Sequence, residues 1–198
     1  MLSQTTMVTK INRDNCLKEF SNFPLRHYDE ATDEEEYFYP AVFATQWLKV
    51  ASNDKIESTE LLASELTKLM KQLCYSKLII LGDTEQSWVS KLSLERNDYE
   101  PLIEALRYLA YNNIDTYFNG GLQVSDTDLY EFLKHFYCLT SCDASLPYFH
   151  FMDIDQNFIG FIHYSGEMRI DTMNKGTQLL LERAIKQTRF IKVLQRAK

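Results

Sequence analysis

Residues 148–172 constrain the fold more than any other part of the chain. Two apolar-rich runs, Tyr148–Ile154 and Phe158–Tyr164, flank Asp155, Gln156 and Asn157. Ser165 and Gly166 then lead into the shorter run Glu167–Thr172. Each run suits a strand in length, and turn chemistry separates them, so the chain must reverse twice. The pattern predicts a three-stranded antiparallel meander.

A meander needs a cover for its apolar side, and the upstream sequence supplies helices. Leu62, Leu66, Leu69, Met70 and Leu73 recur at spacings of three and four in a helix opening near Ser58. Leu102, Ala105, Leu106 and Leu109 repeat the pattern in a helix that Asp98 would cap and that runs to about Asn112. Leu129, Phe132, Leu133 and Phe136 repeat it again behind a capping pair, Ser125 and Asp128. Helices segregated from an antiparallel sheet define an α+β fold, read here as one domain over 1–198 with a helical N-terminal portion, 1–75.

The remaining segments are less patterned. Residues 12–20 read as a short helix, capped by Asn12 or Asp14 and ended by Phe23-Pro24. Asp29–Glu36 holds six acids in eight positions and reads as the start of a solvated helix capped by Thr32 or Asp33. The stretch after Pro40 fits helix or strand equally. Lys77–Leu81 reads as a strand turned by Gly82-Asp83, with Ser87–Leu94 as its hairpin partner. Ile114–Phe118 reads as a strand broken by Asn119-Gly120-Gly121. A final helix is expected from Asn174 to the end, with Leu180, Ala184, Ile191 and Leu194 as its apolar stripe.

No run approaches the roughly 18 apolar residues of a membrane helix, and the first residues lack the apolar core of a secretory signal. Four scattered cysteines, Cys16, Cys74, Cys138 and Cys142, read as reduced thiols and a cytoplasmic location. Cys138 and Cys142 are four apart, but no second pair completes a zinc set, so neither metal nor cofactor is expected.

Catalytic motifs are absent. There is no nucleophile elbow, no Walker loop, no dinucleotide fingerprint and no calcium loop. Asn119-Gly120-Gly121 precedes a helix as a phosphate cradle can, but Gly-Gly alone is a weak signal and a plain turn explains it better. His150 and His163 are the one pair with chemical potential. With a two- or four-residue turn they would lie opposite each other on one sheet face, within reach of shared acid–base work.

Charge is the more specific signal. Residues 97–173 hold twelve acids against Arg107, Lys134 and Arg169, a net charge of −9 where the whole chain carries −7. They also hold 15 of the 24 Tyr and Phe residues. The last 25 residues carry seven basic groups against Glu182 alone. Such polarity is not needed for folding, and an acidic, Tyr-bearing surface suits rapid capture of a basic protein. The expected function is therefore a non-enzymatic binding protein that neutralises a basic partner, such as an immunity protein against a nuclease-type toxin. Asp126, Asp128, Glu131 and Tyr130 are the expected contacts. The alternative is a small hydrolase or nuclease using His150 and His163 with a carboxylate. The basic tail fits a helix C-terminus, and the overall acidity argues against nucleic acid.

Overall fold

The computed structural model describes residues 8–50, 55–96 and 98–193. Its centre is an eight-stranded sheet formed by β1 (Val8–Ile11), β4 (Ala44–Val50), β5 (Lys77–Gly82), β6 (Gly121–Ser125), β7 (Phe149–Asp153), β8 (Phe158–Ile162), β9 (Met168–Thr172) and β10 (Phe190–Lys192). The order across the sheet is β1-β6-β5-β7-β8-β9-β4-β10, and every neighbouring pair is antiparallel. β2 (Leu25–Asp29) and β3 (Glu34–Phe38) pair separately as a hairpin. The expected meander is present as β7-β8-β9, and the fold is α+β.

Helices α2 (Lys55–Gln72), α4 (Glu100–Tyr111), α5 (Leu129–Cys142) and α6 (Lys175–Ile185) bury their apolar stripes on one sheet face. Leu62, Leu66, Leu69 and Met70 meet Leu102, Ala105, Phe132, Phe136 and the inward residues of the strands there. The other face is covered over only part of its width. Cys16, from α1 (Arg13–Glu19), joins Phe20 and Phe23 in covering Ile79, Leu81, Met152 and Ile159. Asn12 caps α1 by accepting from the Asp14 and Asn15 amides.

Several sequence expectations are corrected. The acidic run forms a hairpin rather than a helix. Asp29 accepts from the Ala31 amide, Asp33 takes a positive φ of 55° and the Tyr28 hydroxyl donates to Asp33, so the chain reverses here. With β1 and β4, that hairpin places strands beside α1 and α2 in the first 75 residues.

Ser87–Leu94 forms no strand beside β5. Trp88 turns into the core against Phe149, with ring centroids 4.2 Å apart, and its indole N–H donates to Gly120 O at 2.8 Å. Ser90 and Ser93 then donate to the buried Asp143 carboxylate and fix α3 (Lys91–Glu95) at the end of α5. Burial would raise the Asp143 pKa, but the hydrogen bonds from Ser145, Ser90 and Ser93 outweigh it and hold the pKa below its ordinary value.

Asp98 does not cap α4, whose N-cap is Tyr99 without a side-chain bond. Ile114–Phe118 is a turn, and the strand begins instead at Gly121. A Cβ on Gly121 would come within 2.5 Å of Cys16 Sγ, and one on Gly120 within 2.2 Å of Ile11 O. Close packing therefore accounts for both glycines, without a phosphate.

The last helix stops at Ile185. Thr188 Oγ1 donates to Ile185 O, the buried Glu65 accepts from the Arg189 amide at 2.8 Å, and Phe190 is buried as the chain enters edge strand β10. Leu180 and Ile191 are exposed rather than parts of one stripe. Leu194, Arg196 and Lys198 lie outside the described residues.

Candidate functional site

Side chains alternate across a sheet, so directly opposed residues of successive strands form a row on one face. Trp47 of β4 faces Arg169 of β9, Arg169 faces Phe161 of β8, and Phe161 faces His150 of β7. This row lies on the side away from α2, α4, α5 and α6. It runs out from under the α1 cover, since His150 faces Leu81 of β5, one of the covered residues. The β2–β3 hairpin contributes Arg26, Glu35 and Tyr37 as one wall, and Tyr148 adds to it. The open concavity between them measures about 470 Å³.

Buried aspartates hold both arginines in place. Asp83 follows β5 and has a fully buried side chain. It pairs with Arg26 Nε at 3.1 Å and accepts from the Tyr148 amide at 2.9 Å. The Arg26 amide also donates to Asp83 O at 2.8 Å, which fastens the hairpin to the central sheet. Burial pushes the Asp83 pKa up, and Arg26 and the Tyr148 amide pull it only part of the way back.

Arg169 Nε pairs with Asp171 Oδ2 at 2.8 Å, and Asp171 also accepts from the Tyr39 and Thr45 hydroxyls. The guanidinium lies over the Tyr39 ring, 4.6 Å from its centroid. Burial and the bond to Asp171 raise the Tyr39 phenol well above its ordinary range. Partial burial, with Asp83 adding to it, pushes Tyr37 up to about 12. Both phenols therefore stay protonated donors.

The two histidines share this face, but not as an opposed pair. Asp153 accepts from the Asn157 amide, Asn157 Nδ2 and the Phe158 amide, and Gln156 takes a positive φ. These bonds close a four-residue loop and set His150 opposite Phe161. His163 lies two residues further along the chain, just past the end of β8 and beyond the Phe161 ring. His150 is 3% exposed, and its Nδ1–H donates to Tyr148 O at 3.1 Å. Burial, chiefly, lowers its pKa to about 3, so the ring is neutral. His163 Nδ1 accepts from the Ser165 amide. Among the described residues neither ring bonds to a carboxylate, and no group of three or more His, Cys, Asp or Glu could hold a metal ion.

The expected partner contacts lie on the opposite side of the molecule's central sheet, around the start of α5. Asp126 sits in the turn before the helix and donates its amide to Ser76 O, so helical adjacency to Tyr130 does not apply to it. Asp128 accepts from the Ser125 and Thr127 hydroxyls. Glu131 pairs with Lys134 at 3.0 Å and His135 at 3.1 Å. Tyr130 is exposed. Two of the three acids are thus already engaged within the chain.

Sequence reasoning missed the hairpin and with it Arg26, Glu35, Tyr37, Tyr39 and Asp171. A signal was present: aromatic Tyr28, Tyr37, Phe38 and Tyr39 flank the acidic run on both sides, as paired strands would.

Fold and site together define an α+β protein with an antiparallel sheet, one half of whose second face is left as an aromatic, arginine-bearing concavity beneath an acidic hairpin. No helix among the described residues is long and apolar enough to cross a membrane. No protein family, characterised protein or solved structure matches this chain.

Proposed function

We propose that the chain binds a basic protein partner, in the manner of an inhibitor or an immunity protein that occupies a nuclease-type toxin. The observation that carries the reading is the outer face of the β2–β3 hairpin. Asp29, Glu34 and Glu36 share that face with His27 and Phe38, and Glu34, Glu36 and Phe38 are exposed. Among the described residues Glu30, Glu34 and Glu36 make no ion pair; Glu35 alone of the glutamates in the run reaches a base, Arg26 at 3.5 Å. Unneutralised acids beside an exposed aromatic ring suit a partner rich in Lys and Arg: the field steers the encounter and the ring supplies apolar contact. Such a role belongs in the cytoplasm, where a toxin of that kind acts.

The test is association kinetics with a partner captured at low salt. The variant Asp29→Asn/Glu34→Gln/Glu36→Gln is expected to associate more slowly and with a flatter salt dependence than the wild type. Asp128→Lys/Glu131→Lys reports separately on the α5 surface. Wild-type rates for both variants at every salt concentration exclude both surfaces from the interface.

A further inference from the structure

We propose that the concavity over the Trp47–Arg169–Phe161–His150 row is a small-molecule site for a planar aromatic ring carrying an anionic group, of about mononucleotide size. This goes beyond partner binding and does not depend on the hairpin's outer face.

Three independent features carry it. The first is His150. Its ring is almost wholly buried, its Nδ1–H is committed to Tyr148 O, and its Nε2 has no partner among the described residues while the ring lines the concavity. That nitrogen opens onto the concavity, where a ligand N–H or O–H can take the place of water. The ring is neutral, so Nε2 acts as an acceptor.

The second is Arg169. Asp171 holds its Nε, the Tyr39 ring supports its plane, and no bond within the chain engages its two terminal nitrogens among the described residues. A guanidinium fixed in this way presents a preorganised fork to a carboxylate or phosphate. Arg26, on the hairpin wall, is already paired with both Asp83 and Glu35, so Arg169 is the guanidinium left to meet the anion.

The third is the floor. Phe161 and Trp47 flank Arg169 on adjacent strands, and opposed side chains stand about 4.5–5.5 Å apart. A planar ring lying on Phe161 sits between Arg169 and His150, so its anionic group would meet Arg169 and its donor His150, with Trp47 on the far side of Arg169. The volume of about 470 Å³ leaves room for a ring, a linker and a charged group.

The experiment is titration of the full chain by calorimetry and by the fluorescence of Trp47, with Trp47→Phe identifying that signal. The probes are adenosine monophosphate, adenosine, inorganic phosphate and indoleacetate. Saturable binding of adenosine monophosphate, with adenosine and phosphate each at least about tenfold weaker, is expected from the loss of one charged or ring contact. Tighter binding of indoleacetate assigns the site to aromatic acids rather than nucleotides. Arg169→Lys keeps the charge and the pairing with Asp171 but loses the fork. His150→Phe keeps a buried ring but loses the acceptor, and should fold at least as well as the wild type. Each is expected to weaken binding about tenfold. Binding of none of the probes, or binding unchanged in both variants, overturns the proposal. Neither result bears on the hairpin variants, so the two readings fail separately.

Discussion

Replacing Arg26 with methionine tests how the hairpin is fastened to the sheet. The substitution leaves the Asp83 carboxylate in place with a fully buried side chain and without its directly bonded counter-charge; Arg13, which donates to Gly82 O at 3.1 Å, is the remaining cation nearby. Removing one partner of a buried ion pair costs about 3–5 kcal/mol. Arg26 is itself partly exposed, so the lower end applies, about 3 kcal/mol, and melting should fall by roughly 6–12 °C in a chain of this length. Asp83→Asn should cost much less, about 1 kcal/mol. The amide still accepts from the Tyr148 N–H, and Arg26 retains Glu35 at 3.5 Å. The pH dependence follows from the direction of the Asp83 shift. Folding raises its pKa above the ordinary 3.8, so its contribution to stability declines as pH climbs from that value through the folded pKa. Without Arg26 the folded pKa rises further. The gap between wild type and Arg26→Met should therefore be small in acid, where Asp83 is protonated in both, and widen toward neutrality. Urea denaturation across a pH series measures it. Equal losses for Arg26→Met and Asp83→Asn at neutral pH, or a gap independent of pH, would refute the reasoning.

Gly160→Ala should destabilise the meander by about 2–3 kcal/mol through overpacking, because the new Cβ would sit 2.1 Å from Phe151 Cζ; thermal denaturation reads this. Burial pushes the Cys16 thiol up to about 12, so in the native protein it should resist alkylation while exposed Cys74 reacts. Peptide mass spectrometry after timed alkylation, with and without denaturant, checks the contrast. Asp153→Ala removes the acceptor of three hydrogen bonds in the β7–β8 loop. It should cost about 2–3 kcal/mol and speed amide exchange at Asn157 and Phe158, measured by hydrogen exchange.

The sequence by itself determined what depends on neighbours along the chain. The meander was legible because turn chemistry and strand length are local. The stripes of α2, α4 and α5 were legible because a helix repeats its own geometry, and Leu62, Leu66, Leu102, Ala105, Phe132 and Phe136 are all buried in the helix-side core. Where a long-range contact decided, the local pattern misled. Trp88 alternates with its neighbours as a strand residue would, yet its burial against Phe132, Phe136 and Phe149 outweighs any pairing with β5. Six consecutive-looking acids suit a helix start electrostatically, but the flanking aromatics and the Asp29 and Asp33 turn favour a hairpin. Basic residues after Ile185 complement a helix terminus, but Phe190 gains more from the core than another helical turn provides. The candidate site belongs in part to this second category. Whether His150 and His163 share a face depended on a turn length the sequence left open; the loop closed by Asp153 set their register, and Phe161 stands between them. Trp47, Arg169, Phe161 and His150 become neighbours only because β4 pairs with β9 and β9 with β8. The β4–β9 hydrogen bonds join residues more than a hundred positions apart, so only the tertiary structure adds Trp47 to the acceptor, guanidinium and ring that the meander carries.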